Sequence, residues 1–245
     1  MGSDYQIARQ IALRVVTEHG LPRFYREKAA EVEESRRLFD TDPTVQECRR
    51  MVEEMQSGFG HGLQHSHKVA IDAGAILLVE TGTTNSRDRR LVTLAHLAGL
   101  LHDIKRKKKN HAREGAEEAR LLLEDFALED WERDAICLAI ANHEAFQEQL
   151  PTRDERAQAL SDALYDADKF RWGPDNFAET LWDMVEPFNV PLPALLKGFQ
   201  RGMDVIERVK TGFRSDTGKR YGPDFIEMGM RIGLEIYQEL CIEFL

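Results

Sequence analysis

Apolar positions recur along this chain at spacings of three and four residues nearly from end to end, and the strict alternation of a half-buried strand is hard to find. That period predicts helices near residues 4–19, 22–39, 43–56, 64–81, 87–103, 111–126, 131–144, 153–171, 175–187, 191–210 and 223–243. Punctuation supports several of them. Thr152 and Glu155 form a capping-box pair ahead of the 153–171 helix, and Gly173-Pro174 stops the same helix. The expected fold class is all-α, with one compact helical domain. Residues 1–57 read as an N-terminal helical extension, 58–171 as the core, and 172–245 as a C-terminal helical cap packing on it.

The stripes matter most where they end. The 87–103 helix carries Leu91, Leu94, Ala95, Ala98 and Leu101 on one face, and then meets His102 and Asp103. A carboxylate buried there needs a cation or strong donors. Neighbouring helical side chains diverge by ~100°, so both residues serve one ion only if the helix is ending, as Lys105 to Asn110 suggests. Ile136, Ile140 and His143 share a face of the 131–144 helix. His111 begins a stripe through Gly115, Ala119, Leu122 and Phe126. His65 lines up with Val69, Ala73 and Ile76, but His67 lines up with Ile71 and Leu78, so periodicity does not choose between them. In the 153–171 helix Leu160, Leu164 and Asp168 share the apolar face, whereas Asp162 and Asp166 lie on the more polar side.

His19, His61 and His96 read as solvated or core histidines, His19 suiting a helix C-terminus and His61 lying in a Gly-rich turn. Any one of the other histidines alone is an ordinary core imidazole. Together, several helices each bring an acid or imidazole to the end of an apolar stripe, which points to a metal. Imidazole and carboxylate without thiolate suit Fe, Mn, Co, Ni or Zn.

Composition narrows the function classes. The 245 residues are 42% hydrophobic and 31% charged, ordinary for a globular chain. A net charge of −10 argues against a broad nucleic-acid surface. The basic run Lys105 to Lys109 is a local exception, suited to an anion. Cys48, Cys137 and Cys241 form no C-x-x-C pair, so neither a disulfide framework nor a thiolate zinc site is expected, and a reducing cytoplasm is. No apolar run approaches the ~20 residues of a membrane span. The first residues lack a signal-peptide core, and Gln6 stands where a myristoylation motif needs Ser or Thr. The expectation is a cytoplasmic protein without membrane contact, a monomer or a homodimer.

The order of these residues carries a resemblance. HSHKVA (His65 to Ala70), LLHDI (Leu100 to Ile104), HAREGA (His111 to Ala116), IANHE (Ile140 to Glu144) and DADKF (Asp166 to Phe170) follow one another on helices. This H…HD…H…H…D order resembles the HD-domain superfamily of metal-dependent phosphohydrolases over about residues 58–171. The HD dipeptide alone is weak; the five words in order are specific. The resemblance implies His65 rather than His67 as first ligand, before a basic-Val-Ala step, and Asp168, before Lys169, as last. It implies a metal set of His65, His102, Asp103, His111, His143 and Asp168. Family members with two further histidines between HD and the last Asp hold two metals, so one or two divalent transition-metal ions per chain are expected. There are two departures. His111 follows His102 by nine positions where many dinuclear members use a longer gap, and an alternative role for it is binding a substrate phosphate. Arg106 stands where several nucleotidase branches carry an acid.

The implied activity is cleavage of a phosphate ester, of a nucleotide or another small phosphorylated substrate, by a metal-activated water. Asp103 would orient the metals, and Lys105, Arg106 and Lys169 would hold phosphate oxygens. Lys107 to Lys109 read as a solvated loop. GFRSDTGKRYGPD (Gly212 to Asp224) lacks the spacing and preceding strand of a P-loop. It reads first as a surface loop, and alternatively as one whose Arg214, Lys219 and Arg220 close over an anionic substrate. Two other classes share the pattern: a mixed-valent di-iron oxygenase with the same ligand set, and a non-catalytic helical nucleotide-binding protein.

Overall fold

The computed structural model describes residues 2–55, 60–82 and 86–245. The protein is all-α, and no strand occurs among the described residues. Its α-helices are α1 (Gly2–His19), α2 (Arg23–Glu27), α3 (Ala29–Thr41), α4 (Pro43–Met55), α5 (Gly60–Thr81), α6 (Ser86–Leu101), α7 (His111–Leu122), α8 (Asp130–Ala141), α9 (Glu155–Phe170), α10 (Leu181–Val185), α11 (Leu192–Val209) and α12 (Asp216–Phe244). A π-helical turn (Asn176–Thr180) precedes α10 and a 3₁₀ turn (Glu186–Phe188) follows it.

Several boundaries differ from the periodic expectation for local reasons. The 22–39 helix is interrupted at Lys28, whose φ of −118° and ψ of 29° are not helical. The N-cap of α9 is Asp154 rather than Thr152: its Oδ1 accepts the backbone N–H of Arg156 at 2.8 Å and of Ala157 at 3.3 Å. Thr152 instead accepts the Asp154 N–H at 3.1 Å. The expected loop at 212–224 is helical from Asp216, with Pro223 inside α12. Of the Gly-rich turn GFGHG expected at His61, Gly58 and Phe59 lie outside the described residues, while the backbone from Gly60 onward, that of His61 included, belongs to α5.

The chain divides into two compact units, not into an extension, a core and a cap. One comprises Met1–Glu27, Lys169–Gly212 and Tyr221–Leu245; the other comprises Lys28–Asp168 and Phe213–Arg220. In the first, α1 joins the C-terminal helices. Arg9 pairs with Glu186 at 2.6 Å, and His19, before the left-handed Gly20, meets Glu235 at 2.8 Å. Phe24, Phe170 and Phe225 fill its interior, the last two rings stacked 4.1 Å apart.

The second unit carries the candidate chemistry. Residues 28–55, expected in the extension, belong here because α3 and α4 pack on α5 and α6. The buried Ser35 hydroxyl donates to the Ile71 carbonyl at 2.7 Å, and Phe39 lies against His67 and His96. The α5–α6 pairing depends on small residues. A Cβ added at Gly99 would sit 2.6 Å from the Ala70 backbone nitrogen, so only glycine lets these helices approach so closely. Gly115 of α7 faces the His102 carbonyl, which a Cβ there would meet at an ordinary 3.4 Å.

Candidate metal centre

The helix α6 ends at Leu101, one residue before His102. Successive tight turns follow, with Ile104 N–H on Leu101 O, Arg106 N–H on Asp103 O and Lys108 N–H on Lys105 O. The helix therefore stops where two adjacent side chains must point the same way. The basic run is the outer part of that turn structure, and Lys107, Lys108 and Lys109 are exposed.

Four imidazoles form a row. Ring centroids are 5.2 Å apart for His65 and His102, 5.1 Å for His102 and His143, and 5.2 Å for His143 and His111. At one end His65 Nε2 lies 3.2 Å from both His102 Nε2 and Asp168 Oδ1. That is the mutual spacing of donors sharing one ion at about 2.1 Å. Asp103 lies in the middle of the row. Its Oδ2 faces His102 at 3.7 Å and His65 at 3.9 Å; its Oδ1 faces His143 at 3.6 Å and His111 at 4.0 Å. Two sets, His65 with His102 and Asp168, and His102 with Asp103 and His143, bring one ligand atom from each residue within 4.8 Å of one another.

The tautomers are set locally. His102 Nδ1 donates to the Gly99 carbonyl at 2.7 Å, and His143 Nδ1 donates to the Ile140 carbonyl at 2.6 Å. Each ring spends its N–H on the helix it leaves, which turns the Nε2 lone pair toward Asp103. Burial pushes His102 down to about 4, so it is neutral at physiological pH, the form that ligates. Burial also works to raise Asp103, but His102, His143 and Arg106 outweigh it and hold the carboxyl well below the usual range. The donor set, neutral imidazoles around an ionised carboxylate and free of thiolate, fits a divalent transition metal.

The other expected residues are distributed as follows. Arg106 reaches Asp103 Oδ2 at 3.0 Å and is half exposed. Lys105 is turned to Glu118 on α7, at 3.2 Å. Lys169 belongs to the other unit, where it is buried with its Nζ 5.7 Å from the Trp172 ring centroid. His67 packs on Phe39 and faces Glu53 at 3.9 Å. Lys219 is exposed and pairs loosely with Asp216 at 3.8 Å; Arg220 is exposed on α12.

Arg214 is not an exposed clamp. Its guanidinium lies 3.4 Å from the Tyr165 ring centroid and donates to the Asn142 carbonyl at 2.8 Å, and burial lowers its pKa. Together with Glu80, Arg153, Asp162 and Ser215 it lines a cleft of about 390 Å³. Asp162 and Asp168 are six positions apart on α9, ~240° around the helix, so cleft and imidazole row use different faces. The cleft is lined by no imidazole.

Three further residues join the site. Glu144 Oε2 faces His111 Nδ1 at 3.9 Å. Asn142 closes the loop after α8, donating to Leu150 O at 3.1 Å and accepting Leu150 N–H at 2.8 Å; inside that loop Phe146 takes a left-handed φ of 65°. Asp166, expected on the polar side of α9, is fully buried. It accepts the backbone N–H groups of Arg214 and Ser215, each at 2.8 Å, and burial pushes its carboxyl up to about 6. Glu144 and Asn142 lie within IANHE but past the helix end, where periodicity carries no signal. The segment that buries Asp166 is 48 and 49 residues away at its two amide donors, so helical periodicity carries no sign of it.

No family model, curated protein or solved structure matches this chain. No helix among the described residues is long and apolar enough to cross a membrane.

Proposed function

We propose that the row is a two-ion metal centre and that the protein is a metal-dependent phosphohydrolase of the HD type, acting on a small phosphate ester. The observation that carries this is Asp103: each of its oxygens faces a different pair of imidazoles. His65, His102 and Asp168 would hold one ion and His111 and His143 the other, with Asp103 between them serving both. The candidate ions are Fe, Mn, Co, Ni and Zn. Bound there, such ions supply positive charge against a phosphoryl group and lower the pKa of a water toward ~7.

The chain's own groups do the rest. His102 and His143 present Nε2 without a competing proton, because each Nδ1–H is held by a carbonyl. Arg106 balances Asp103 and leaves guanidinium N–H groups facing solvent, where they would bind a phosphate oxygen and orient the ester. Glu144 at the rim faces His111 Nδ1 at 3.9 Å, on the side of the ring away from Asp103. Lys107 to Lys109 add a positive approach on an acidic protein.

The test is hydrolysis of p-nitrophenyl phosphate and of nucleoside monophosphates by chelator-treated protein resupplied with Mn(II), Co(II) or Zn(II), beside His102→Ala. Metal-dependent turnover abolished by the substitution is expected. Turnover that persists with chelator, or none with any metal and ester, contradicts it; metal-dependent oxygen uptake instead would make the centre an oxygenase.

A further inference from the structure

Among groups the proposed chemistry does not use, one connected set leads back to the row. Asp166 is fully buried and accepts three hydrogen bonds from one short segment: Arg214 N–H, Ser215 N–H and, at 2.7 Å, the Ser215 hydroxyl. Ser215 in turn caps α12, its Oγ accepting the Gly218 N–H at 2.8 Å. Position 218 is closed to any side chain, because a Cβ there would collide with the Asp166 carboxylate. A second acid, Glu80 on α5, accepts the Thr217 N–H at 2.6 Å. The 213–220 segment is thus nailed to α9 and α5 at several points.

What this anchoring delivers is the Arg214 side chain. Its guanidinium is laid flat against Tyr165 and donates to the carbonyl of Asn142. Asn142 is the C-cap of α8, and a carbonyl at a helix C-terminus has no partner within the helix. Arg214 therefore caps α8 from a segment 72 residues away, with its cation at the negative end of the helix. The next residue is His143, whose Nε2 must stay near Asp103 Oδ1, 3.6 Å away. On its other side Asn142 is tied to Leu150 and, at 3.3 Å, to the Ser161 hydroxyl.

We infer that Arg214 is a positioning residue: by capping α8 at Asn142 it fixes where His143 stands, and so sets the affinity of the ion on the His143–His111 side. This rests on the two-ion reading above. His65, His102 and Asp168 stand on other elements and do not depend on this cap. An outer partner of this kind changes metal affinity by about 10–100-fold when removed.

The experiment titrates metal-free full-length protein with Co(II), followed by its visible absorption, for wild type, Arg214→Ala, Arg214→Lys and Tyr165→Leu, with thermal melts alongside. Wild type is expected to fill in two phases. Arg214→Ala should weaken the second phase about 10–100-fold and leave the first unchanged. Arg214→Lys, which can still donate to the carbonyl, should recover part of the loss. Tyr165→Leu, which removes the stacking and keeps Arg214 itself, should show a smaller loss of the same phase and serves if Arg214→Ala does not fold. Two unchanged phases in folded Arg214→Ala overturn the inference while the two-ion reading stands. Equal weakening of both phases with a lowered Tm makes Arg214 merely structural and overturns it too. A wild type that takes up fewer than two ions overturns the two-ion reading, and the inference with it.

Discussion

The two halves of the imidazole row are built differently. On one side His65 comes from within α5, Asp168 from the last turn of α9, and His102 from the residue just after α6, with α5 and α6 in backbone contact at Gly99 and Ala70. On the other, His111 is the first residue of α7 and His143 lies past the end of α8. The first half is held by close packing of main chains, which has few alternatives. The second is held by caps: Arg214 on Asn142, Asn142 on Leu150, Glu144 facing His111. Packed helices keep their geometry until they unfold, whereas capped termini can shift while the fold persists. On the proposed two-ion reading, the first half should therefore be the tighter and more selective site, and the second the adjustable one.

The sharpest way to break that contrast is Gly99→Ala. The new methyl has no space against the Ala70 backbone, and overpacking of this kind costs about 3 kcal/mol, or about 6–12 °C in Tm for a chain of this size. Because Gly99 O also holds His102 Nδ1, metal binding should fail with the fold. A Gly99→Ala protein with wild-type Tm and metal content would show that close packing does not set the first half.

Single-ligand changes come next. His65→Ala should empty the packed half and abolish turnover. His111→Ala should leave that ion in place, lowering the metal content from two ions to one with Tm little changed. Metal analysis of the two proteins side by side separates them, and equal losses would erase the difference between the halves.

The smallest effect concerns pH. His96, on the α6 side of the packed half, is fully buried and held down to about 3 by desolvation. The Ser35 hydroxyl donates to Ile71 O and so accepts from His96 Nε2–H at 3.0 Å, while Nδ1 has no partner. The unfolded chain takes up this proton near 6.5 and the folded chain near 3. Between these values the unfolded state binds more protons, so stability falls as pH falls from about 6.5 toward 3. Denaturant unfolding across that range should show a steeper acid limb for wild type than for His96→Gln; identical slopes would mean that His96 does not couple to folding.

Much of this was legible in the sequence, and the reasons it stopped being so are physical. Stripes of period 3.6 locate helices, and an imidazole or carboxylate at the end of an apolar stripe signals a buried polar group that needs a partner, as with His102, Asp103 and His143. Choosing His65 over His67 needed the resemblance; in the structure Phe39 and Glu53 occupy His67. Caps made by remote residues carry no periodic trace. Asp166 lies on the more polar side of its helix by periodicity, yet residues 213–220 supply it with three donors, and the Gly-Pro of 222–223, which reads as loop, lies within α12. The terminal helices were split into separate extensions because their pairing is between chain ends.

The most direct test of the central claim is the metal content per chain of protein purified without chelators or a metal-affinity step, for wild type and for the double variant His102→Ala with Asp103→Ala. Two transition-metal ions in the wild type, and none in a double variant that still folds, are predicted. A wild type free of metal, or a double variant that keeps as much as the wild type, would contradict the account.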